Sequence, residues 1–350
     1  MRIGFIGAGR VGCALGTHLR RSALVEISGY LSRSSASARS AADALGTKSF
    51  HTLDEAVRSS DMLLITTPDD MIASVWHELK EIPGLPEEGH VAGSPAVSGM
   101  SIGHCSGCLS SAVFDDAERI GVSAFSMHPM QAVSQRFAAD DAGQSVDQLS
   151  GAFFALEGDR RVTEMMTQLL ARLGNPNRII RPEDKTRYHA AAVMASNLPI
   201  ALWQQAVETL RGCGFTESQA REALSGMIEH NARSFCERGA KAALTGPVER
   251  ADVGTVRAHL EALGAGDTAS DTGLNGSDPD GDVDVGIAGA VTAATVYRTL
   301  SEALLPVAEA KNPNRDYGEL IDLLTAADRS PQRTDHHSGR SAGGSDHPNG

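Results

Sequence analysis

The sequence predicts a doubly wound α/β domain with a mostly parallel sheet, followed by an all-helical domain. Three observations carry this. The chain opens on a short apolar run, Arg2–Ile6, followed at once by Gly7-Ala8-Gly9-Arg10-Val11-Gly12 and a helical stretch, Cys13–Leu19. Apolar runs and helical stretches then alternate as far as Ile180, the pattern of parallel strands joined by crossover helices. After Pro182 no strand pattern recurs. One domain is therefore expected over residues 1–181 and a second over 182–328, with a disordered tail over 329–350.

Strand, G-x-G-x-x-G, helix is the order that a dinucleotide pyrophosphate requires. Gly7 permits a tight turn, Gly9 leaves room for the phosphates, and Gly12 lets the helix pack closely. The helix start adds free N–H groups and a positive dipole end. Cofactor contacts are expected from Gly7, Ala8, Gly9, Arg10, Val11 and Gly12. The second strand, Leu24–Leu31, decides between NAD and NADP. An acidic residue at its end would bind a ribose 2′-hydroxyl, but Ser32-Arg33-Ser34 stands there. Arg33 can pair with a 2′-phosphate and the serines can donate to it, which predicts NADP.

A helix is expected over Ser35–Leu45 and a strand over Lys48–His51. Asp61–Ile65 is a strongly apolar strand running into Thr66, Thr67 and Pro68. Ligands in such sheets lie beyond the carboxyl ends of the strands, so these three should line the nicotinamide side. Asp69-Asp70 opens the next helix, and Pro83–Gly99 is a loop. Two further strands end in histidines: Ser101–His104, leading into Cys105-Ser106-Gly107, and Val122–Met127, leading into His128-Pro129-Met130-Gln131. His104 is either a core histidine or part of the site, and His128 is expected to be functional. A strand at Phe153–Leu156, a helix at Asp159–Leu173 and a strand at Arg178–Ile180 complete this half.

Glu183–Arg211 reads as one long helix, apolar nearly all round, as in a bundle or dimer core. Thr216 is a suitable N-cap for a helix reaching Arg238. Further helices are expected over Val253–Leu263, Ile287–Ala310 and Tyr317–Ala326. Residues 264–286 form an acidic, Gly- and Ser-rich insertion, expected to be disordered. Its alternating aspartates lack the glutamate of a calcium loop, because position twelve from Asp278 is Gly289.

On the long helix Lys185 and His189 are four apart and share a face, with Ser196 and Asn197 further along. Such groups are costly to bury without a partner. They form either a catalytic strip facing the cofactor or a polar strip at an interdomain surface. Arg250, in Leu-Thr-Gly-Pro-Val-Glu-Arg, can clamp a carboxylate or pair with Glu249 or Asp252.

A formal net charge of −13 argues against a nucleic-acid or anionic-membrane partner. No apolar run approaches the roughly 20 residues of a membrane span. The first strand begins at residue 2, so no leader is expected. The five cysteines, Cys13, Cys105, Cys108, Cys213 and Cys236, are odd in number and irregularly spaced, as in a reducing cytoplasm. Cys105 and Cys108 form a lone C-x-x-C, and no metal site is expected.

Gly-Ala-Gly-Arg-Val-Gly (7–12), Thr-Thr-Pro-Asp-Asp (66–70), His-Cys-Ser-Gly (104–107), His-Pro-Met-Gln (128–131), Lys-x-x-Tyr-His-Ala-Ala-Ala (185–192), Ala-Ser-Asn (195–197) and Leu-Thr-Gly-Pro-Val-Glu-Arg (244–250) together resemble one family. It is the family with a Rossmann-like domain and a C-terminal domain designated DUF2520. The resemblance covers about residues 1–325 outside the acidic insertion. It implies an N-terminal NADP domain, a helical C-terminal domain of the 6-phosphogluconate-dehydrogenase-like type, and a homodimer. The family is similar in turn to pyrroline-5-carboxylate reductases, prephenate dehydrogenases, ketopantoate reductases and β-hydroxyacid dehydrogenases. The prephenate dehydrogenase pattern implies a catalytic role for His128 and a substrate contact for Ser106. The ketopantoate reductase pattern of Lys with Asn four residues on implies Lys185, although its i+4 partner here is His189.

The residues point to an NADP(H)-dependent reductase, and the resemblance implies a small 2-oxo acid as its substrate, with 2-dehydropantoate as the first candidate. Lys185 or His128 would supply the proton. Asn197 and Ser106 would orient the substrate, Arg250 or Lys185 would bind its carboxylate, and His104 would lie at the cofactor edge. Imine reduction of the pyrroline-5-carboxylate type, hydride exchange with a deazaflavin, and a non-catalytic NADP sensor are the alternatives.

Overall fold

The structure, a computed structural model, describes residues 1–83, 96–97, 99–139, 145–267 and 291–326. Most of the Pro83–Gly99 loop, the acidic insertion from residue 268 and the tail lie outside the described residues. The chain divides into two units, Met1–Ser196 and Asn197–Gly350. The division falls after residue 196, whereas the sequence places it at 181.

The first unit alternates as its sequence pattern demands. Strands β1 (Arg2–Ile6), β2 (Glu26–Leu31), β3 (Lys48–Ser49) and β4 (Met62–Ile65) are separated by α1 (Arg10–Leu19), α2 (Ser35–Leu45) and α3 (Leu53–Ser59). Helix α4 (Ile72–Lys80), β5 (Ser101–His104) and β6 (Ser123–Pro129) follow. A small ribbon, β7 (Ala138–Ala139) with β8 (Ser145–Val146), precedes β9 (Phe154–Gly158), α5 (Arg160–Arg172), β10 (Asn177–Ile179) and α6 (Lys185–Ser196). Asp69–Met71 forms a 3₁₀ turn ahead of α4, so the helix expected at Asp69 opens three residues later.

The main sheet runs β10-β9-β6-β5-β4-β1-β2-β3. Every pairing is parallel except β6 with β9. Strand order reverses at β1, between β2 and β4, so a crevice opens at the carboxyl ends of β1 and β4. Both faces are covered, which is why the strands read as continuous apolar runs. On one face Phe5, Leu64, Phe125 and Phe154 pack with Leu15, Leu19 and Leu169. On the other Leu63, Ile65 and Ile102 pack with Trp76, Leu79 and Phe114. Side chains alternate along β6, so Met127 joins the first layer while Ser126 and His128 point to the opposite face.

The second unit is helical: α7 (Leu198–Arg211), α8 (Glu217–Ala243), α9 (Val253–Asp267), α10 (Ala293–Lys311) and α11 (Gly318–Thr325). Thr216 caps α8 with a full capping box, its side chain taking the Gln219 N–H and Gln219 answering the Thr216 N–H. Helix α8 runs on past the expected Arg238 and kinks at Gly239, where φ is 75°. The single helix expected over Glu183–Arg211 is in fact a 3₁₀ turn at Pro182–Asp184 and two helices that part at Asn197. Pro199 is the reason. It has no N–H to offer and its ring crowds the preceding turn, so it starts a helix rather than continuing one. Nor are these helices buried: Lys185 is the one buried side chain in α6 and Val207 the one in α7.

Candidate functional site

The glycine loop has the geometry its sequence implies. Gly7 has φ 119°, and its N–H donates to the Leu31 carbonyl at 2.8 Å. A Cβ on Gly7 would lie 2.7 Å from the Thr66 backbone. A Cβ on Gly12 would lie 2.4 Å from Thr66 Oγ1 and 2.6 Å from the Gly7 carbonyl oxygen. Gly12 thus lets α1 close on the ends of both β1 and β4. Thr66 Oγ1 fastens the two ends by donating to the Gly7 carbonyl at 2.8 Å. Gly9 is the N-cap of α1, and nothing lies within 4 Å of where its Cβ would be. That bare cap, with α1 behind it, fits a pyrophosphate. Ala8 is buried, whereas Arg10 is exposed and Val11 half-buried.

At the end of β2, Arg33 and Ser34 are exposed. Ser34 caps α2 by accepting the Ser37 N–H at 3.2 Å, which anchors the turn that presents Arg33. Thr67 Oγ1, beyond β4, is buried with no hydrogen-bond partner among the described residues. A buried, unpaired hydroxyl at a strand end is what a bound polar group would satisfy. Pro68 and Asp69 next to it are exposed.

A second cluster stands two and three strands along the same sheet edge. Lys185, the first residue of α6, is 1% exposed and donates to the Ser106 carbonyl and to Ser126 Oγ, both at 2.7 Å. It bridges the ends of β5 and β6. Ser106 is equally committed: its hydroxyl donates to Asp69 Oδ2 at 2.6 Å and accepts the N–H groups of Cys108 and Leu109. Its N–H donates to His104 Nδ1 at 3.2 Å. His104 is fully buried against Phe114 and orders the turn after β5, while its Nε2 has no hydrogen-bond partner among the described residues.

His128 lies within β6, one residue from its end, and not beyond the strand as expected. Its Nδ1 is 2.9 Å from the Tyr188 hydroxyl. His189 stands edge-on to it, with ring centroids 5.7 Å apart. The two imidazoles converge on Gly107, where a Cβ would lie 2.2 Å from His189 Nδ1 and 3.0 Å from His128 Nε2. Gly107 therefore makes room for both rings.

The electrostatics follow from burial. Desolvation brings His128 down to about 4, helped by the Lys185 ammonium and by His189. Burial also takes His104 to about 4, against the pull of the Ser110 backbone. Tyr188 is pushed up to about 12 by burial alone. Lys185 is lowered by burial, while the carboxylates of Glu157 and Asp69 and the thiols Cys105 and Cys108 work the other way. Glu157 is fully buried on β9, opposite Ser126 in register, and holds the N–H and hydroxyl of Ser111 at 2.8 Å each. At neutral pH His128 is a neutral imidazole and Tyr188 a neutral phenol, beside the buried Lys185 amino group.

Ser126, Tyr188, Glu157, Asp69 and Gly107 were given no site role by sequence reasoning, although Asp69, Gly107 and Tyr188 lie within the motifs that carry the resemblance. Two had a signal in their spacing. Tyr188 is three residues from Lys185 and so shares its helix face, and Ser126 is two residues from His128 and so shares its strand face. Glu157 enters only through the antiparallel pairing of β9, which nothing local announces. Asn197 and Arg250 belong to the second unit. Asn197 precedes α7 and is exposed. Arg250 is mostly exposed and 4.0 Å from Asp252, whereas Glu249 is engaged by Asn312 at 2.7 Å and by Arg315. Of the two pairings open to Arg250, only the one with Asp252 is therefore formed.

The fold and this edge define the class: a Rossmann-type dinucleotide-binding unit followed by a helical one. Residues 1–129 match the Rossmann-like domain, and residues 152–273 match the domain of unknown function DUF2520. The chain belongs to the family that joins these two domains. No curated protein matches it in sequence. Among solved structures it is similar to protein TM1727 from Thermotoga maritima, at 22% identity and TM-score 0.59 over 88% of this chain and 99% of that one. A Bacteroides fragilis protein, BF3122, whose name marks it provisionally as an NADP oxidoreductase, matches at 20% identity and TM-score 0.57 over 87% and 98%. The imine reductase from Myxococcus stipitatus, solved with NADP+, matches at 14% identity and TM-score 0.52 over 93% and 99%. At these identities the likeness is one of fold. No helix among the described residues is long and apolar enough to cross a membrane.

Proposed function

We propose that the chain is an NADP(H)-dependent oxidoreductase that reduces the carbonyl of a small 2-oxo acid, with 2-dehydropantoate the first compound to test. One observation carries the reading. The His128–Tyr188–His189 cluster stands on the same carboxyl edge of the sheet as the bare Gly9 cap, with β4 and β5 between β1 and β6. At about 4.8 Å per strand, β1 and β6 are about 14 Å apart, a distance that a dinucleotide with its pyrophosphate at Gly9 can span.

The glycine loop and α1 would hold the pyrophosphate, Arg33 with Ser32 and Ser34 the 2′-phosphate, and Thr66, Thr67 and Pro68 the nicotinamide side. When bound, the cofactor supplies a hydride. The chain's own residues then place a hydrogen-bond donor at the substrate oxygen. His128 is the residue for this, because Lys185 has both of its bonds turned inward and Ser106 has its hydroxyl fully engaged. Lys185 ties the ends of β5 and β6 together and adds to the burial that keeps His128 neutral. The 2-oxo acid class rests on the family resemblance. The NADP+-bound imine reductase fold supports imine reduction as the second reading.

NADPH oxidation by the purified protein tests this, with 2-dehydropantoate beside pyrroline-5-carboxylate and NADH as the control. Turnover of the first compound, preferring NADPH, is expected. Arg33→Glu should lower the NADPH preference by about tenfold or more, as the loss of a charge-assisted phosphate contact would. Turnover of the imine alone would move the assignment to imine reduction. Tight NADP binding without turnover of either compound would favour the sensor reading.

A further inference from the structure

We propose that Tyr188 is a positioning residue that fixes His128 as the Nε2–H tautomer and stands behind it as a proton reserve. The inference rests on the reading above, in which His128 faces the substrate.

A neutral imidazole carries one proton, and the nitrogen that holds it is set by the bond the other nitrogen makes. Here the other bond is Tyr188 Oη to His128 Nδ1, at 2.9 Å. A phenol is a much stronger acid than a neutral imidazole N–H, so the shared proton stays on oxygen and Nδ1 accepts it. If the ring donated instead, the half-buried phenol would lose its one acceptor among the described residues. The ring's own proton is therefore on Nε2.

The surroundings hold this arrangement. Tyr188 and His189 meet the His128 ring edge to face, at interplanar angles of 86° and 88° and centroid distances of 5.7 Å, so two aromatic neighbours pack against it. Nε2 points over Gly107 and makes no hydrogen bond among the described residues. A substrate oxygen arriving there meets a donor rather than a lone pair.

Proton and electron balance follow. The carbonyl carbon takes the hydride, and the nicotinamide hydride donor is oxidised. The oxygen takes the Nε2 proton as Nδ1 takes the phenolic proton. The phenolate that remains lies under the Lys185 ammonium, whose Nζ is 6.0 Å from the Tyr188 ring centre, and water then returns the proton. Tyr188 thus touches no substrate and acts through His128.

The test is nitrogen-15 NMR of the histidine side chains of the full-length protein at neutral pH, with His128 assigned by His128→Gln. In the wild type, His128 should appear as a single Nε2–H tautomer. Tyr188→Phe keeps the ring and removes the hydroxyl, and should leave His128 as a mixture. In turnover, the same variant should lower kcat about tenfold to a hundredfold with little change in KM. A wild-type Nδ1–H tautomer, or an unchanged spectrum in Tyr188→Phe, overturns the proposal. The spectrum needs no substrate, so a failure of the proposed activity and a failure of this inference remain distinct results.

Discussion

The two units bury apolar surface in different ways. The first covers its sheet on both faces, and its large side chains Trp76, Tyr30, Phe5, Phe125 and Phe154 are all below 2% exposed. The second has one core cluster of eight buried residues among those described, centred on Leu305, Tyr317 and Leu320. Around it Leu198, Ile200, Leu202, Trp203, Met227, Phe235, Leu300 and Leu304 are each more than a third exposed. A cavity of about 570 Å³ between α7, α8, α9 and α10 is lined by Leu202, Leu210, Leu224, Val296, Leu300 and Leu304. The first unit thus has what a self-sufficient fold needs, while the second displays more apolar surface than a lone domain ordinarily leaves to water. Burial also explains where chemistry can sit. Only the well-covered unit can hold an ammonium and two histidines in a dry setting and shift them.

The largest test of that contrast is acid. His104 and His128 fall from 6.5 to about 4 on folding. Below pH 6.5 the unfolded chain takes up protons that the folded chain refuses, so stability falls with pH until about 4, where both states are charged. Each histidine accounts for up to about 3 kcal/mol of that loss. Urea unfolding at pH 7 and pH 5 should show it. His104→Asn keeps an acceptor for the Ser106 N–H and cannot be protonated, so it should be less stable than the wild type at pH 7 but lose less between the two pH values. An unchanged slope would mean that His104 takes its proton in the folded state.

The second test concerns the exposed helices. We propose that the second unit's apolar face is covered by a second copy of the chain. The exposed row on α7 supports this, as does the fact that α7 buries only Val207. Leu202→Glu should then convert a dimer to a monomer in light scattering. It should also remove the dependence of the wild-type melting temperature on concentration, at a cost of about 2 kcal/mol per interface anchor. A monomeric wild type would show that the surface has another use.

What was legible in the sequence follows the same division. The glycine loop could be read almost atom by atom, because a tight turn, a bare cap and a close approach each demand glycine locally. The strand ends at Thr66, His104 and His128 were legible within two residues, since apolar runs in a two-sided sheet stop where water begins. The break at Asn197 was missed because an Ala- and Met-rich run outweighed one proline. The inward turn of Lys185 could not be read either. Its partners, the Ser106 carbonyl and Ser126 Oγ, come from segments 79 and 59 residues away. Sequence patterning shows that a polar group lies on an apolar helix, but only the tertiary fold shows which acceptor it meets.

The smallest effect separates apolar cover from surface charge as the source of the first unit's independence. Arg2 pairs with Asp61 at 2.8 Å across the start of β1 and β4, with both side chains about half exposed. The pair holds the Asp61 carboxyl below its usual range through side-chain and then backbone bonds from Arg2. Its stabilising contribution is therefore present above the ordinary aspartate range and lost as pH falls below it. Water and salt screen such a pair, and Asp61→Asn keeps an oxygen to accept the Arg2 N–H. The substitution should cost no more than about 1 kcal/mol in urea unfolding at low salt, and less at high salt. A larger, salt-insensitive loss would place part of the first unit's stability in this exposed corner, and two-sided apolar burial would no longer account for the contrast by itself.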